Sequence, residues 1–361
     1  MADDADPLLD ATMGLLPPLL TALDALEHAG RYLHPPNVAE LAAALEPMTA
    51  PLGEGRAAFL DAQWPEHLAG FRDSVAEASG QAVAALQAFA ACGAEANPVL
   101  GAYRALGSAG RAVSALYPVA FMLPPVNRFF IAPALRDDAD LLATLGSADP
   151  AAENAGVIHA SNGADERGGF SLYVPEYYSP ERAYPLVVAL HGGSGHGRSF
   201  LWTWLRDARS RGAIVVSPTS REATWSLMNP AVDTANLDAI VARVQELWNV
   251  DASKVLLTGM SDGGTFSYLG GLRDGSPFTH LAPISASFHP FLVEGCSAGR
   301  LAGLPIYLVH GALDWMFAID VARTARDTLQ AAGAALTYRE IDDLSHTYPR
   351  EENQQLLDWF L

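Results

Sequence analysis

The segment Val255-Leu256-Leu257-Thr258-Gly259-Met260-Ser261-Asp262-Gly263-Gly264 constrains the fold of this chain more than any other. Its apolar opening reads as a short buried strand. The G-x-S-x-G run that follows reads as a turn delivering the chain straight into a helix at residues 266–269. Such a turn swings its serine outward in a strained backbone conformation, and a side chain two residues to either side would collide with it. That is the reason for glycine at 259 and 263. Ser261 is therefore the candidate nucleophile. The pattern recurs at Gly295-Cys296-Ser297-Ala298-Gly299, but there it follows the Pro-bearing Phe288-His289-Pro290-Phe291. The next strand begins too soon for a helix to intervene, and Ser297 is assigned to a loop.

A chain of 361 residues, half of them hydrophobic, has material for about two domains. Residues 1–150 carry helical spacing only: Leu68, Phe71, Val75, Ala82, Leu86 and Phe89 recur on one face, and Asn97-Pro98 is a start signal for a helix through Tyr117. The glycines on that helix, Gly107 and Gly110, predict a close helix-helix approach. The apolar, Pro-rich run at 117–133 cannot be one helix; it suits either a substrate entrance or a packing seam. Ser147-Ala148-Asp149-Pro150 reads as a linker. Strands then alternate with helices, the rhythm of a mostly parallel sheet. Strands are predicted at 156–160, 170–174, 186–190, 213–217, 255–258, 281–285, 306–309 and 336–341. Helices are predicted at 198–210, 234–248, 264–272, 318–332 and 351–361. The expected organisation is an all-helical domain over 1–150, acting as a cap or as packing, and an α/β domain over 151–361.

In an open sheet of this kind reactive groups gather at the carboxyl ends of the strands. Ser261 follows the fifth strand. After the third comes His191-Gly192-Gly193-Ser194-Gly195, whose small side chains free backbone N–H groups to face a developing oxyanion. The N–H groups of Gly193 and Asp262 are the candidate pair. After the seventh comes His310-Gly311-Ala312-Leu313-Asp314, and after the eighth His346. A serine hydroxyl needs an imidazole to take its proton, and the imidazole needs a carboxylate to fix its tautomer. Of ten histidines only His346 lies beyond Asp314, so Ser261, Asp314 and His346 are read as a triad, with Asp342 and Asp343 as substitute acids. His191 and His310 are read as structural turn residues. Trp225, Trp315 and Met316 are the large side chains at the same edge and are assigned to the substrate pocket.

This constellation resembles the α/β-hydrolase fold, and closely its esterase branch of phospholipase/carboxylesterases, feruloyl esterases and polyhydroxybutyrate depolymerase-like enzymes. The resemblance covers residues 155–361 and rests on Leu190-His191-Gly192-Gly193, the 259–264 elbow, His310 to Asp314, and His346. It implies an eight-stranded α/β-hydrolase sheet, an oxyanion N–H at Gly193, and a serine carboxylesterase acting on small to medium acyl or aryl esters through an acyl-enzyme. Prolyl-oligopeptidase-like peptidases share the elbow and the chain order. They usually carry a β-propeller before the catalytic domain, and the helical first part of this chain does not fit one. Polymer-degrading members of the esterase branch usually carry an export signal and disulfides.

Composition narrows the partners. The formal charge of −19, with Lys254 the only lysine, disfavours nucleic acid and anionic membrane surfaces. The opening Met1-Ala2-Asp3-Asp4-Ala5-Asp6 is acidic where an export signal is basic, which gives a cytoplasmic expectation. The apolar run at 15–26 is interrupted by Pro17 and Pro18 and carries Asp24, an argument against a membrane span. Cys92 and Cys296 are read as reduced thiols. The spacing in Gly192-Gly193-Ser194-Gly195-His196-Gly197-Arg198-Ser199 imitates a nucleotide-binding loop but lacks its lysine. There is no metal-ligand motif, and serine hydrolysis needs no cofactor.

Overall fold

The computed structural model describes residues 7–149 and 152–361; Met1 to Asp6 and the Pro150 end of the expected linker lie outside the described residues. The chain separates into two compact units, Met1–Phe130 and Ile131–Leu361, so the break falls earlier than residue 150. Residues after 130 are still helical, which hides the boundary from a reading of periodicity. Tertiary contacts assign them, since the Ala132 N–H donates to Ser210 Oγ at 2.8 Å.

The first unit contains α1 (Pro7–Arg31), α2 (Val38–Leu45), α3 (Thr49–Asp61), α4 (Ala69–Ala91), α5 (Pro98–Leu116) and α6 (Pro124–Phe129). Asn97 caps α5, its side chain accepting the Leu100 N–H at 3.2 Å. The 117–133 run is broken as expected, into a 3-10 turn, α6 and a second turn at Pro133–Leu135. Two expectations are corrected. Pro17 and Pro18 lie inside α1 without ending it, and by length and composition alone α1 is long and apolar enough to cross a membrane. Pro18 has no N–H for the carbonyl of Gly14, four residues back. That carbonyl lies against α3, where a Cβ on Gly55 would come within 2.9 Å of it. One face of α1, including Leu15, Leu19, Leu23 and Leu26, is buried in the unit. On α5, a Cβ at Gly107 would meet only the end of its own Arg111 side chain, and one at Gly110 nothing within 4 Å. Neither glycine mediates close packing. The buried residues of α5 are instead small ones, Ala102, Ala105, Ser108 and Ala112 among them.

The second unit opens with α7 (Ala139–Gly146) and then alternates. Its strands are β1 (Gly156–Ala160), β2 (Phe170–Val174), β3 (Tyr184–Leu190), β4 (Ile214–Pro218), β5 (Val250–Met260), β6 (His280–Ile284), β7 (Pro305–Gly311) and β8 (Ala335–Ile341). Its other helices are α8 (Gly197–Phe200), α9 (Leu205–Arg211), α10 (Ala231–Leu247), α11 (Asp262–Leu272), α12 (Phe291–Glu294), α13 (Ala298–Leu301), α14 (Ile319–Ala331) and α15 (Glu352–Phe360). The strands form one sheet in the order β1-β2-β4-β3-β5-β6-β7-β8. β2 runs antiparallel to both neighbours, and the pairs from β4 to β8 are parallel.

Apolar blocks explain the central strands: β3 is buried at six of its seven positions, and its Leu186, Val188 and Leu190 share a cluster with Val255 and Leu257 of β5, Leu237 and Val244 of α10 and Phe266 of α11. Burying each such side chain is worth roughly 1.5–3 kcal/mol. β5 begins at Val250, before the predicted 255, because its first residues, half-buried Asp251 and exposed Ser253 among them, carry no apolar signal. The prediction that no helix fits between Ser297 and β7 is also corrected. The single turn of α13 does fit, with Ser297 as its cap accepting the Arg300 N–H.

Two glycines test this packing in opposite directions. A Cβ on Gly311, at the end of β7, would fall 2.1 Å from the Leu344 carbonyl oxygen, so Gly311→Ala should lower the calorimetric melting temperature by several degrees, a loss of about 2 kcal/mol or more. At Gly110, where the added methyl meets open space, Gly110→Ala should raise it, by up to about 1 kcal/mol.

Candidate active site

Ser261 sits between β5 and α11 at φ 57° and ψ −121°, a conformation that costs a non-glycine residue about 1–3 kcal/mol. Its surroundings hold it there. The Ser261 N–H donates to the Ile284 carbonyl on β6 at 3.0 Å, and the Ser261 carbonyl accepts the Thr265 N–H at 2.8 Å. A Cβ on Gly259 would fall 2.5 Å from the Gly263 carbonyl carbon, and one on Gly263 2.4 Å from the Leu190 carbonyl oxygen. The glycines flanking the serine are thus required by the approach of β5, α11 and β3.

His346 lies in the loop after β8. Its Nδ1 is 2.9 Å from Asp314 Oδ2 and its Nε2 is 2.9 Å from Ser261 Oγ. A carboxylate only accepts, so Nδ1 carries the proton and donates to Asp314, leaving Nε2 to accept the Ser261 hydroxyl proton. All three side chains are buried. Asp314 is fixed twice over, because Oδ1 accepts the N–H groups of Met316 and Phe317, each at 2.9 Å. Burial alone would raise its pKa; the hydrogen bond and charge of His346, with the Phe317 N–H, outweigh burial and hold it below the ordinary carboxylate value. The loops carrying the acid and the base are tied together, the Ala312 N–H donating to the Ile341 carbonyl at 2.9 Å and the Leu313 N–H to the Leu344 carbonyl at 3.0 Å. On the far side, Tyr348 donates to Asn353 Oδ1 at 2.7 Å and Asn353 to Asp207 at 3.0 Å.

The loop after β3 passes close to the serine: a Cβ on Gly192 would fall 3.5 Å from Ser261 Cβ. Ser194 takes a positive φ of 57° and its N–H donates to the Ala223 carbonyl, while the Gly195 N–H closes a turn onto the Gly192 carbonyl, both at 3.0 Å. His191 is a strut within this loop. Its Nδ1–H donates to the Gly192 carbonyl at 2.7 Å, and its Nε2 accepts the Ser220 N–H at 3.1 Å. Burial presses its pKa down to about 4, so it stays neutral and is no base. His310, also buried, donates through Nε2 to the Phe317 carbonyl at 2.9 Å; burial lowers its pKa as well.

Gly193 lies in this loop, and Asp262 takes the first position of α11 directly after Ser261. The positive end of α11 favours developing negative charge there. The expected pocket side chains are divided. Trp225 is only 2% exposed. Its indole donates to the His191 carbonyl at 2.8 Å and its ring stacks on Phe266. It braces the Gly-rich loop from behind instead of lining a mouth, and its assignment is corrected. Trp315 and Met316, at 41% and 51% exposure, are open to solvent on the loop beside Asp314. Asp342 and Asp343 are exposed, whereas the acid bonded to His346 Nδ1 at 2.9 Å is the buried Asp314.

Sequence reading missed Phe317, whose ring meets His346 edge-on at 5.3 Å and whose backbone serves both Asp314 and His310. The signal was present, since an aspartate whose side chain accepts the N–H groups two and three residues on is a common turn device. It also missed Thr224, which donates to Asp262 Oδ2 at 2.5 Å, and Arg167, whose guanidinium reaches the carbonyls of Gly195 and Ser220. Both come from loops with no regular pattern. Ser297 donates to Asp274 at 2.6 Å. Among the described residues no group of three or more His, Cys, Asp or Glu is placed to hold a metal.

A mostly parallel sheet whose fifth strand turns through a strained serine into a helix gives the second unit an α/β-hydrolase fold. No family model matches the chain. It is similar to probable feruloyl esterase C of Aspergillus terreus, 33% identical over 171 residues, 44% of this chain and 60% of that protein. It is also similar to feruloyl esterase C of Emericella nidulans, 30% identical over 179 residues, 46% and 63% of the two chains. The chain thus spans about three fifths of the length of these relatives. A solved structure of a thermostable esterase overlays with a TM-score of 0.46 at 21% identity, covering 56% of this chain and 61% of that one. The elbow and the sheet order carry the fold assignment.

Neutral buried histidines make acid stability a test of the geometry. Burial depresses the pKa of His191, and of His159 on β1, from 6.5 to about 4. The unfolded chain therefore takes up these protons first, and stability falls as the pH drops from about 6.5 and stops falling from this source near 4. The melting temperature should fall across that window, and more shallowly in His159→Gln. A flat profile down to pH 4 would contradict the neutral assignment.

Proposed function

We propose that the second unit hydrolyses carboxylic esters of small to medium acyl or aryl groups through an acyl-enzyme. The observation that carries this reading is the hydrogen-bonded line from Ser261 Oγ through His346 to Asp314, 2.9 Å at each step. Ser261 Oγ attacks the ester carbonyl carbon while its proton passes to His346 Nε2, and Asp314 stabilises the imidazolium. The Gly193 and Asp262 N–H groups receive the oxyanion. His346 then hands the proton to the leaving alcohol, and water, deprotonated by His346, releases the acid and restores the serine. The exposed Trp315 and Met316 favour an apolar or aromatic group beside the site, and the names of the feruloyl esterase relatives support aryl esters within the class.

A fluorophosphonate probe should label the chain, Ser261→Ala should abolish labelling and Ser297→Ala should leave it intact; the reverse pattern would remove Ser261 from its role. His346→Ala should lower kcat by several orders of magnitude, on the scale of losses when one member of such a set is removed. Substrate class is read from a p-nitrophenyl ester chain-length panel run beside peptide amides. Fast ester turnover with negligible amide cleavage is expected, and efficient peptide cleavage would return the chain to the peptidase reading.

A further inference from the structure

We infer that Asp262 is a specificity-determining residue that selects against ester substrates carrying a negative charge. This rests on the ester-hydrolase reading and deepens it. The backbone N–H of Asp262 is one of the two oxyanion donors, while its side chain turns toward the other. Asp262 Oδ2 lies 2.8 Å from the point a Cβ on Gly193 would occupy, and Thr224 Oγ1 donates to the same oxygen at 2.5 Å. The side chain is partly exposed. Among the described residues no arginine, lysine or histidine pairs with it. Of the cations on the neighbouring loops, Arg167 is engaged with the Gly195, Ser220 and Ala223 carbonyls and with Ser220 Oγ, and the Arg221 guanidinium donates to Asn236 Oδ1 at 3.4 Å.

A full negative charge beside an oxyanion donor opposes the charge that develops in catalysis, so its presence calls for a compensating role. Holding the Gly-rich loop through Thr224 does not require charge, because an asparagine oxygen would accept the same hydroxyl. What only the carboxylate supplies is a local negative potential beside Gly193. That potential repels an acyl chain ending in a carboxylate and favours a neutral or cationic one.

The test uses the full chain and three p-nitrophenyl esters with the same six-carbon acyl group: hexanoate, the mono-ester of adipate, and 6-(trimethylammonio)hexanoate. Asp262→Asn should raise the adipate-to-hexanoate ratio of kcat/KM about tenfold and lower the trimethylammonio-to-hexanoate ratio. Asp262→Ser, which also removes the charge, should move both ratios the same way. Thr224→Val keeps the charge and should leave both ratios near those of the unaltered chain. Added salt should narrow the adipate discrimination of the unaltered chain more than that of Asp262→Asn. Ratios unchanged in both Asp262 variants, or all three esters slowed in step, would reduce Asp262 to a loop clamp and overturn the inference. Failure of the unaltered chain to turn over the hexanoate would instead overturn the ester-hydrolase reading beneath it.

Discussion

Ser261 at φ 57° is the constraint on which the second unit is built. A β-strand cannot run directly into a helix unless one residue turns the backbone through a conformation that side chains resist, and the strain has to be held by neighbours. Here the neighbours are three backbones, those of β3, β6 and α11, each closer than a Cβ would permit at Gly259, Gly263 or Gly264. The sheet order follows from this need: β5 sits at the centre, between β3 and β6, so the turn is gripped on both sides. An edge strand could supply only one of those grips.

The remaining reactive groups arrive by a second principle. Asp314 and His346 each follow a strand that pairs in parallel with its neighbour, so both loops emerge at the edge where Ser261 stands. Their geometry is then set by backbone hydrogen bonds between the two loops and by the amides of Met316 and Phe317. Neutral His191 and His310 act as struts. Because each donates from one ring nitrogen to a carbonyl, burial serves them: it suppresses the charged form that would disturb the hydrogen bonds around them.

Much of this was legible in the sequence, and the exceptions have physical reasons. The central strands announce themselves because a strand covered on both faces has to be apolar throughout. The first half of β5, half-buried at Asp251 and exposed at Ser253, sends no such signal. The boundary at Phe130 was invisible because helices lie on both sides of it, and only tertiary contacts decide which unit they join. Prolines 17 and 18 suggested a break, yet a carbonyl freed by proline is tolerated where a glycine on α3 lets the backbones meet. Ser261, Asp314 and His346 could be singled out because strand ends are predictable. Thr224 and Arg167 could not, since their contacts depend on irregular loops. Trp225 shows the limit of placing a large side chain by its loop alone: a strand-end aromatic faces inward as readily as outward.

The tie between the acid and base loops has a further consequence. β7, α14 and β8 form a contiguous segment that carries Asp314 and His346, complete with the bonds that orient one to the other. Ser261 and the loop of Gly192 and Gly193 belong wholly to the segment before it. Between them lies a stretch with two single-turn helices, α12 and α13, and an exposed Phe291. The contacts that bring the two halves of the site together include the pairing of β6 with β7, the bonds of Asn353 to Asp207 and the Thr203 carbonyl, and that of Lys254 to the Phe360 carbonyl. The second unit is in this sense a two-piece assembly on one chain. Its natural point of division is the 291–301 stretch, where a cut would separate Ser261 from Asp314 and His346 while leaving the bonding within each piece intact.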